Sequence, residues 1–291
     1  MNFFLSLAFV LTMVLNSAEV CRGETHELIE FSEKSLINWD KRSVTATGVG
    51  RPAPETIHDP DLRRQWALTA AKKNAVKNLF KTIWTINIDS NRRIGDVAPG
   101  DIHILNQLID MAKTLPVHGQ RFFPNGFTEV DIQMDMNGAF ARLTLPENIK
   151  KLESIKPVLS NKDRANRSLV STKRQMSPDV FTGLVVDAKG IGARPSISPR
   201  ILDKNSREIY GAAFVSREFA VQKGISGYMT DIKAAQKNPR VGGKPLIVRG
   251  LITIGKARSD IVISNLDASK LRGASEHLIF LKKCGVIIVT D

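Results

Sequence analysis

Residues able to do chemistry are few in this chain, and they are scattered. The five histidines, His26, His58, His103, His118 and His277, never pair at i, i+4 and have no nearby Cys and Glu partners of the kind that make a metal site readable. No metal and no cofactor are therefore expected. Gly48-x-Gly50 and Gly190-x-Gly192 each follow a predicted strand, but Ala53 and Pro195 hold the third glycine place of a dinucleotide fingerprint. Both pairs read as turn glycines. A G-x-S-x-G elbow and a P-loop are absent from the sequence. Asp187 ends a predicted strand and Asp203 stands in a polar turn, where aspartate serves local hydrogen bonds. No catalytic residue is assigned, and the chain reads as a non-enzyme.

Two cysteines exclude a disulfide framework. Cys284 lies in the apolar run Phe280 to Val289 and reads as a buried free thiol. Cys21 is a candidate lipid-attachment site, although Val20 and Ala18 stand where that signal wants a small residue and a leucine. Three turn cations, Arg194, Arg240 and Lys244, form a candidate anion-binding set, since guanidinium forks suit paired acceptor oxygens. Against that stands the plainer reading of solvated turn charges.

The elements that must position these residues begin with an export signal. Phe3 to Leu15 is an apolar run of thirteen residues followed by Asn16-Ser17-Ala18; a bilayer-spanning helix needs about 20. Residues 1–23 read as a signal peptide cleaved after Ala18 or Gly23. The net charge of +13, from 42 Lys and Arg against 29 Asp and Glu, favours anionic partners such as envelope polymers or lipid headgroups. In an exported chain, nucleic acid is not among them.

Glu24 to Asn38 is expected to hold a short helix with Leu28, Ile29 and Phe31 inward. Ser43 to Gly48 alternates as a strand, ending in the glycine-rich stretch Gly48 to Pro52. Asp59-Pro60-Asp61 opens a helix running from Leu62 to Trp84, with Ala67, Ala70, Ala71 and Ala75 on its inner face and no Gly or Pro inside. A second helix spans Asp101 to Ala112, and a strand lies near Val117. Val130 to Met136 alternates strictly, and Asn137-Gly138 predicts a two-residue hairpin whose return arm buries Ala139, Ala141, Leu143 and Leu145.

Residues 146–179 read as a basic linker. The second module, 180–291, carries strands at Phe181 to Ala188, within Ile209 to Phe219, and at Leu246 to Ile254, Asp260 to Ser264 and Val286 to Val289, with short helices at Lys233 to Lys237 and Asp267 to Leu271. The last strand is apolar on both faces, which places it centrally. The expected fold is α+β, with two small α/β modules. The first, 40–145, is a helix-backed antiparallel or mixed sheet; the second is a mixed sheet ending in a central C-terminal strand. Each is expected to hold its own core.

Thr47-Gly48-Val49-Gly50-Arg51-Pro52, the Trp66 to Leu79 stretch with its Ala70-Ala71 pair and Asn78-Leu79 ending, and the Val130 to Gly138 strand, in that order, resemble the Lpp-twenty lipoprotein family, which includes the flagellar envelope proteins FlgP and, in its N-terminal part, FlgT. The resemblance covers about residues 40–145. It implies an envelope scaffold or ring component, without cofactor, that binds other envelope proteins or further copies of itself. The expected function is thus a non-catalytic assembly module of the bacterial cell envelope; the alternative is a periplasmic enzyme or a binder of a small anionic ligand between the modules.

Overall fold

The longest helix forms where the sequence offers a cap, a run without breakers and a stripe of small residues. In the computed structural model, which describes residues 26–147, 149 and 180–291, α1 spans Pro60–Thr85. The Asp59 carboxylate accepts from the Asp61 and Leu62 amides, and Pro60 occupies the first turn. Ala67, Ala71, Ala75, Leu79 and Ile83 are buried, whereas Leu62 and Trp66 are more than half exposed.

Beneath α1 lies an antiparallel sheet of five strands, β1 (Ile29–Ser32), β2 (Ser35–Asn38), β3 (Ser43–Gly50), β4 (Val117–Phe122) and β5 (Thr128–Asp135), in the order β1-β2-β3-β5-β4. The β1–β2 hairpin stands where a short helix was expected, and it extends this module upstream of residue 40. The reason is a hydrogen-bonding demand. β2 pairs Ser35 to Asn38 with Ala46 to Ser43 of β3, satisfying a strand edge that a helix would leave open.

Gly48 and Gly50 lie within β3, not in a turn. A Cβ on Gly48 would lie 2.7 Å from the Cα of Ala75 and would overlap the Ala71 carbonyl; one on Gly50 would lie 2.7 Å from the Ala71 amide. Glycine on the strand and alanine on the helix let the two backbones approach each other. Asn74 and Asn78 reach down from α1 to the carbonyls of Val49 and Thr47 at 2.7 and 2.8 Å, completing the edge of β3 beyond β2.

The hairpin expected at Asn137-Gly138 does not form. β5 already has β3 on one side and β4 on the other, so no edge is left for a returning strand. The chain turns at Gly138, with φ +60°, into a helix at Ala139–Thr144 that buries Phe140, Ala141 and Thr144. That helix is α4. It follows α2 (Ile94–Val97) and α3 (Ile102–Thr114), whose first turn is capped by Asp101.

The second sheet has seven strands. They are β6 (Gly183–Asp187), β7 (Ile201–Leu202), β8 (Glu208–Tyr210), β9 (Gly227–Met229), β10 (Pro245–Ile254), β11 (Asp260–Ile263) and β12 (Val286–Val289), in the order β8-β7-β11-β10-β6-β12-β9. It is a mixed sheet, and β12 lies inside it with parallel partners on both sides. Four helices accompany it: α5 (Arg217–Lys223), α6 (Ile232–Lys237), α7 (Asn265–Arg272) and α8 (His277–Lys282). The extended stretch expected over Ile209 to Phe219 ends at Tyr210 and gives way to a 3-10 turn and α5.

The fold is thus α+β in two modules, but the two cores expected from the sequence are not separate. Trp39, Val44, Leu79 and Met134 of the first belong to the same buried cluster as Leu184, Tyr210, Val286 and Ile288 of the second. Backbone bonds cross the boundary as well, from Ile197 N to Asn87 O at 2.9 Å and from Gly138 N to Val221 O at 2.9 Å. The expected signal segment, with Cys21, and the basic residues from Lys150 to Arg174 lie outside the described residues.

Candidate functional site at the module junction

The three turn cations expected to converge on an anion do not meet. β10 pairs in parallel with β6, from Pro245 beside Gly183 to Arg249 beside Asp187. Lys244 precedes this pairing, with its amide on the Thr182 hydroxyl, whereas Arg194 follows it, with its amide on the Arg258 carbonyl. Five residues of strand, roughly 16 Å, separate the two ends. Arg240 is mostly buried, and its guanidinium donates to three backbone carbonyls: Cys284 at 2.9 Å, Lys223 at 2.8 Å and Gly224 at 2.6 Å. It holds α5 and the start of β12 together and has no free fork to offer.

Arg240 nonetheless marks the most unusual environment in the molecule. Arg42, from the turn into β3, is buried against it, with Nε donating to Asn137 Oδ1 at 2.8 Å and neither terminal nitrogen bonded. Burial, then the charge of Arg240, pulls the Arg42 guanidinium down to about 10. Both Arg42 (φ +53°) and Cys284 (φ +55°) adopt the left-handed conformation without being glycine. Such conformations persist only where surrounding packing enforces them, and they concentrate at working sites. Burial pushes the Cys284 thiol up to about 11, against the pull of Arg240, so it is not a nucleophile near neutral pH.

Aromatic rings close this junction. Trp39 packs edge-on against Tyr228, with centroids 5.5 Å apart. The Tyr228 hydroxyl donates to Ser196 O and accepts from Ser196 N, each at 3.0 Å, and the Tyr210 hydroxyl donates to Ile225 O at 2.5 Å. Burial raises both phenols well above their ordinary range in Tyr210 and more modestly in Tyr228.

Toward solvent the junction opens into a cleft of about 500 Å³ between the modules, lined by Asp89, Arg92, Glu147, Ser198, Arg200 and Glu208 among others. At its floor Asp260, fully buried, accepts from Ser90 Oγ at 2.7 Å and from the Arg200 guanidinium. Asp89 is pushed up by burial but held below its ordinary range by Arg92 and the Asn91 amide. Glu208 is raised by burial, partly offset by Arg200. Most of the cleft's charge is thus neutralised internally.

The remaining candidates have structural partners. His277 Nε2 accepts from the Phe181 amide at 3.0 Å, which leaves Nδ1 to donate to Leu271 O. Asp187 is bound by Arg249, and Asp203 by Arg207 and Arg272. Among the described residues, no three His, Cys, Asp or Glu side chains gather to hold a metal. Sequence reasoning found Arg240 and Cys284 but missed Arg42, Ser90, Tyr228 and Asp260. Their only signal is a polar residue flanking an apolar strand, which countless surface positions share.

No curated protein matches the chain. Residues 183–291, in the second module, are similar to the family described as Treponema pallidum Tp0624, second domain.

Proposed function

We propose that the chain is a non-catalytic assembly module of the bacterial cell envelope that binds other envelope proteins through the open face of its second sheet. One observation carries this reading. On that face α6 covers Val185, Ile287, Val289 and Met229 of β6, β12 and β9. The cover stops at β6, and on the next strand Ile247, Leu251, Ile252 and Ile254 are exposed. A bulge between Gly250 and Ile252 produces the row. Strict alternation would turn Ile252 and Ile254 inward with Val248, but the extra residue re-aims both to the exposed side. Four exposed branched aliphatics on an interior strand form the kind of patch that marks a protein interaction surface.

Two further features support the reading. The likeness of residues 40–145 to the Lpp-twenty family implies scaffold work in the envelope, and the charge of +13 favours an anionic surrounding. The test combines fractionation with a surface variant. The chain should co-sediment with envelope proteins, and Ile247→Ser with Leu251→Ser and Ile252→Ser should release it while leaving its circular dichroism unchanged. A triple variant that sediments as the parent does would reject the row as the binding surface.

A further inference from the structure

We propose that the module junction holds a small monovalent inorganic anion of the chloride class beside Arg42 and Arg240. The inference goes beyond the assembly role and does not rest on it. It follows from counting donors and acceptors where the two guanidiniums meet around Gly224. Arg240 Nη2 bonds the Gly224 carbonyl at 2.6 Å, and a Cβ on Gly224 would lie 2.7 Å from Arg42 Nε.

Each carbonyl placed in this region accepts from another side chain, and none accepts from Arg42 Nη1 or Nη2. Those of Lys223, Gly224 and Cys284 accept from Arg240, that of Ile225 from Tyr210, and that of Ser196 from Tyr228. Donors are left over instead. Both terminal nitrogens of Arg42 are buried without a hydrogen bond.

A fully buried cation, Arg42, thus stands beside the mostly buried Arg240 with surplus N–H groups, and among the described residues no carboxylate lies within ion-pairing distance of either, Asp135 and Asp40 acting on them only from farther away. Buried charges are ordinarily paired, and removing a counter-charge from such a site is severely destabilising. What fits is a species that only accepts hydrogen bonds, carries one negative charge and is small enough for an enclosed site. A halide has these properties. Water could accept the same hydrogen bonds, but it carries no charge to offset the two cations.

The bound anion would join the modules, because Arg42 belongs to the first and Arg240 to the second. An anion that binds only the folded state raises its stability with the logarithm of concentration. The melting temperature of the full chain should therefore rise as chloride replaces methanesulfonate at constant ionic strength. Crystals soaked in bromide should show an anomalous peak within hydrogen-bonding distance of Arg42 Nη1 or Nη2.

Two variants separate this from a purely structural role. Arg42→Met keeps the apolar stem and removes the charge, and Asn137→Asp places a carboxylate beside Arg42 Nε as an internal counter-ion. Each should abolish the chloride dependence, and Asn137→Asp serves alone if Arg42→Met fails to fold. A site filled by water, a bromide peak in a protein whose melting temperature ignores chloride, or an undiminished chloride effect in Asn137→Asp would each overturn the proposal.

Discussion

Ser90 Oγ, in the first module, donates to the carboxylate of Asp260, in the second, at 2.7 Å, with both residues buried. Arg200 completes the arrangement through its guanidinium and its amide. Asp260→Ala leaves the hydroxyl and the amide without their acceptor. Because the Arg200 side chain is 43% exposed and can turn to water, the loss falls short of that for an enclosed pair. It should be roughly 2–3 kcal/mol, read as a fall in the urea midpoint. A variant within 0.5 kcal/mol of the parent, roughly the scatter of ordinary surface changes, would show that this contact does not hold the modules together.

The approach of Gly48 to Ala75 gives a second expectation. Gly48→Ala drives a methyl into the α1 backbone, which no rotamer can relieve, and should cost about 1–3 kcal/mol. Gly243→Ala is the control, because a Cβ there meets nothing within 4 Å. Equal urea midpoints for the two variants would contradict the close packing of α1 on β3.

The same glycines show where sequence reasoning stops. Ala67, Ala71 and Ala75 announce a helix that lies close to something, and Val130 to Met136 announces the strand beneath. Nothing local says that Gly48 and Gly50 are the something, so a glycine pair beside a proline reads as a turn. Asn137-Gly138 misleads for a related reason. Its turn chemistry is sound, but whether a strand or a helix follows depends on free sheet edges, and β3 and β4 have taken both. The β-branched run Val286 to Val289 was legible as an interior strand because its burial is a property of the residues themselves. The junction was not, because Arg42 and Arg240 come together only through the docking of two modules.

Asp203 makes stability depend on acid. Burial alone would raise its pKa, but hydrogen bonds from the Arg207 amide, from the Arg272 and Arg207 side chains and from the Asn205 amide outweigh it and hold the carboxyl far below the usual range. A depressed folded pKa contributes stability that is complete above the unfolded value, near 4, and is lost as pH falls toward the folded one. The urea midpoint should therefore decline from about pH 4 downward, and Asp203→Asn should show a shallower decline from a lower plateau. Parallel profiles for parent and variant would rule Asp203 out as a source of the acid sensitivity.

Cys284 should be chemically silent. Its thiol is buried and pushed up to about 11, so at pH 8 the thiolate fraction alone slows reaction with disulfide reagents by roughly two orders of magnitude, before access is considered. In a Cys21→Ser background, folded protein should consume no reagent over minutes and one equivalent on denaturation. Rapid labelling of the native protein would mean that the junction opens readily.

The last expectation concerns cooperativity. β12 sits between β6 and β9, all four of its residues are buried, and Val286 and Ile288 belong to the cluster that also contains Trp39 and Val44 of the first module. Each such side chain contributes about 1.5–3 kcal/mol by burial, so the strand's share is comparable with the 5–15 kcal/mol that stabilises a typical domain. Its loss would also remove the Cys284 to Val289 stretch against which Arg240 and, through it, α5 are held. A chain ending at Lys283 should therefore lose protease protection in the second module and, because the core is continuous, in the first as well. The intact chain should unfold in one calorimetric transition with equal calorimetric and van't Hoff enthalpies. Two resolved transitions, or a resistant fragment covering residues 26–147 of the truncated chain, would show that the five-stranded sheet and α1 stand alone and that the junction is a contact between independent domains.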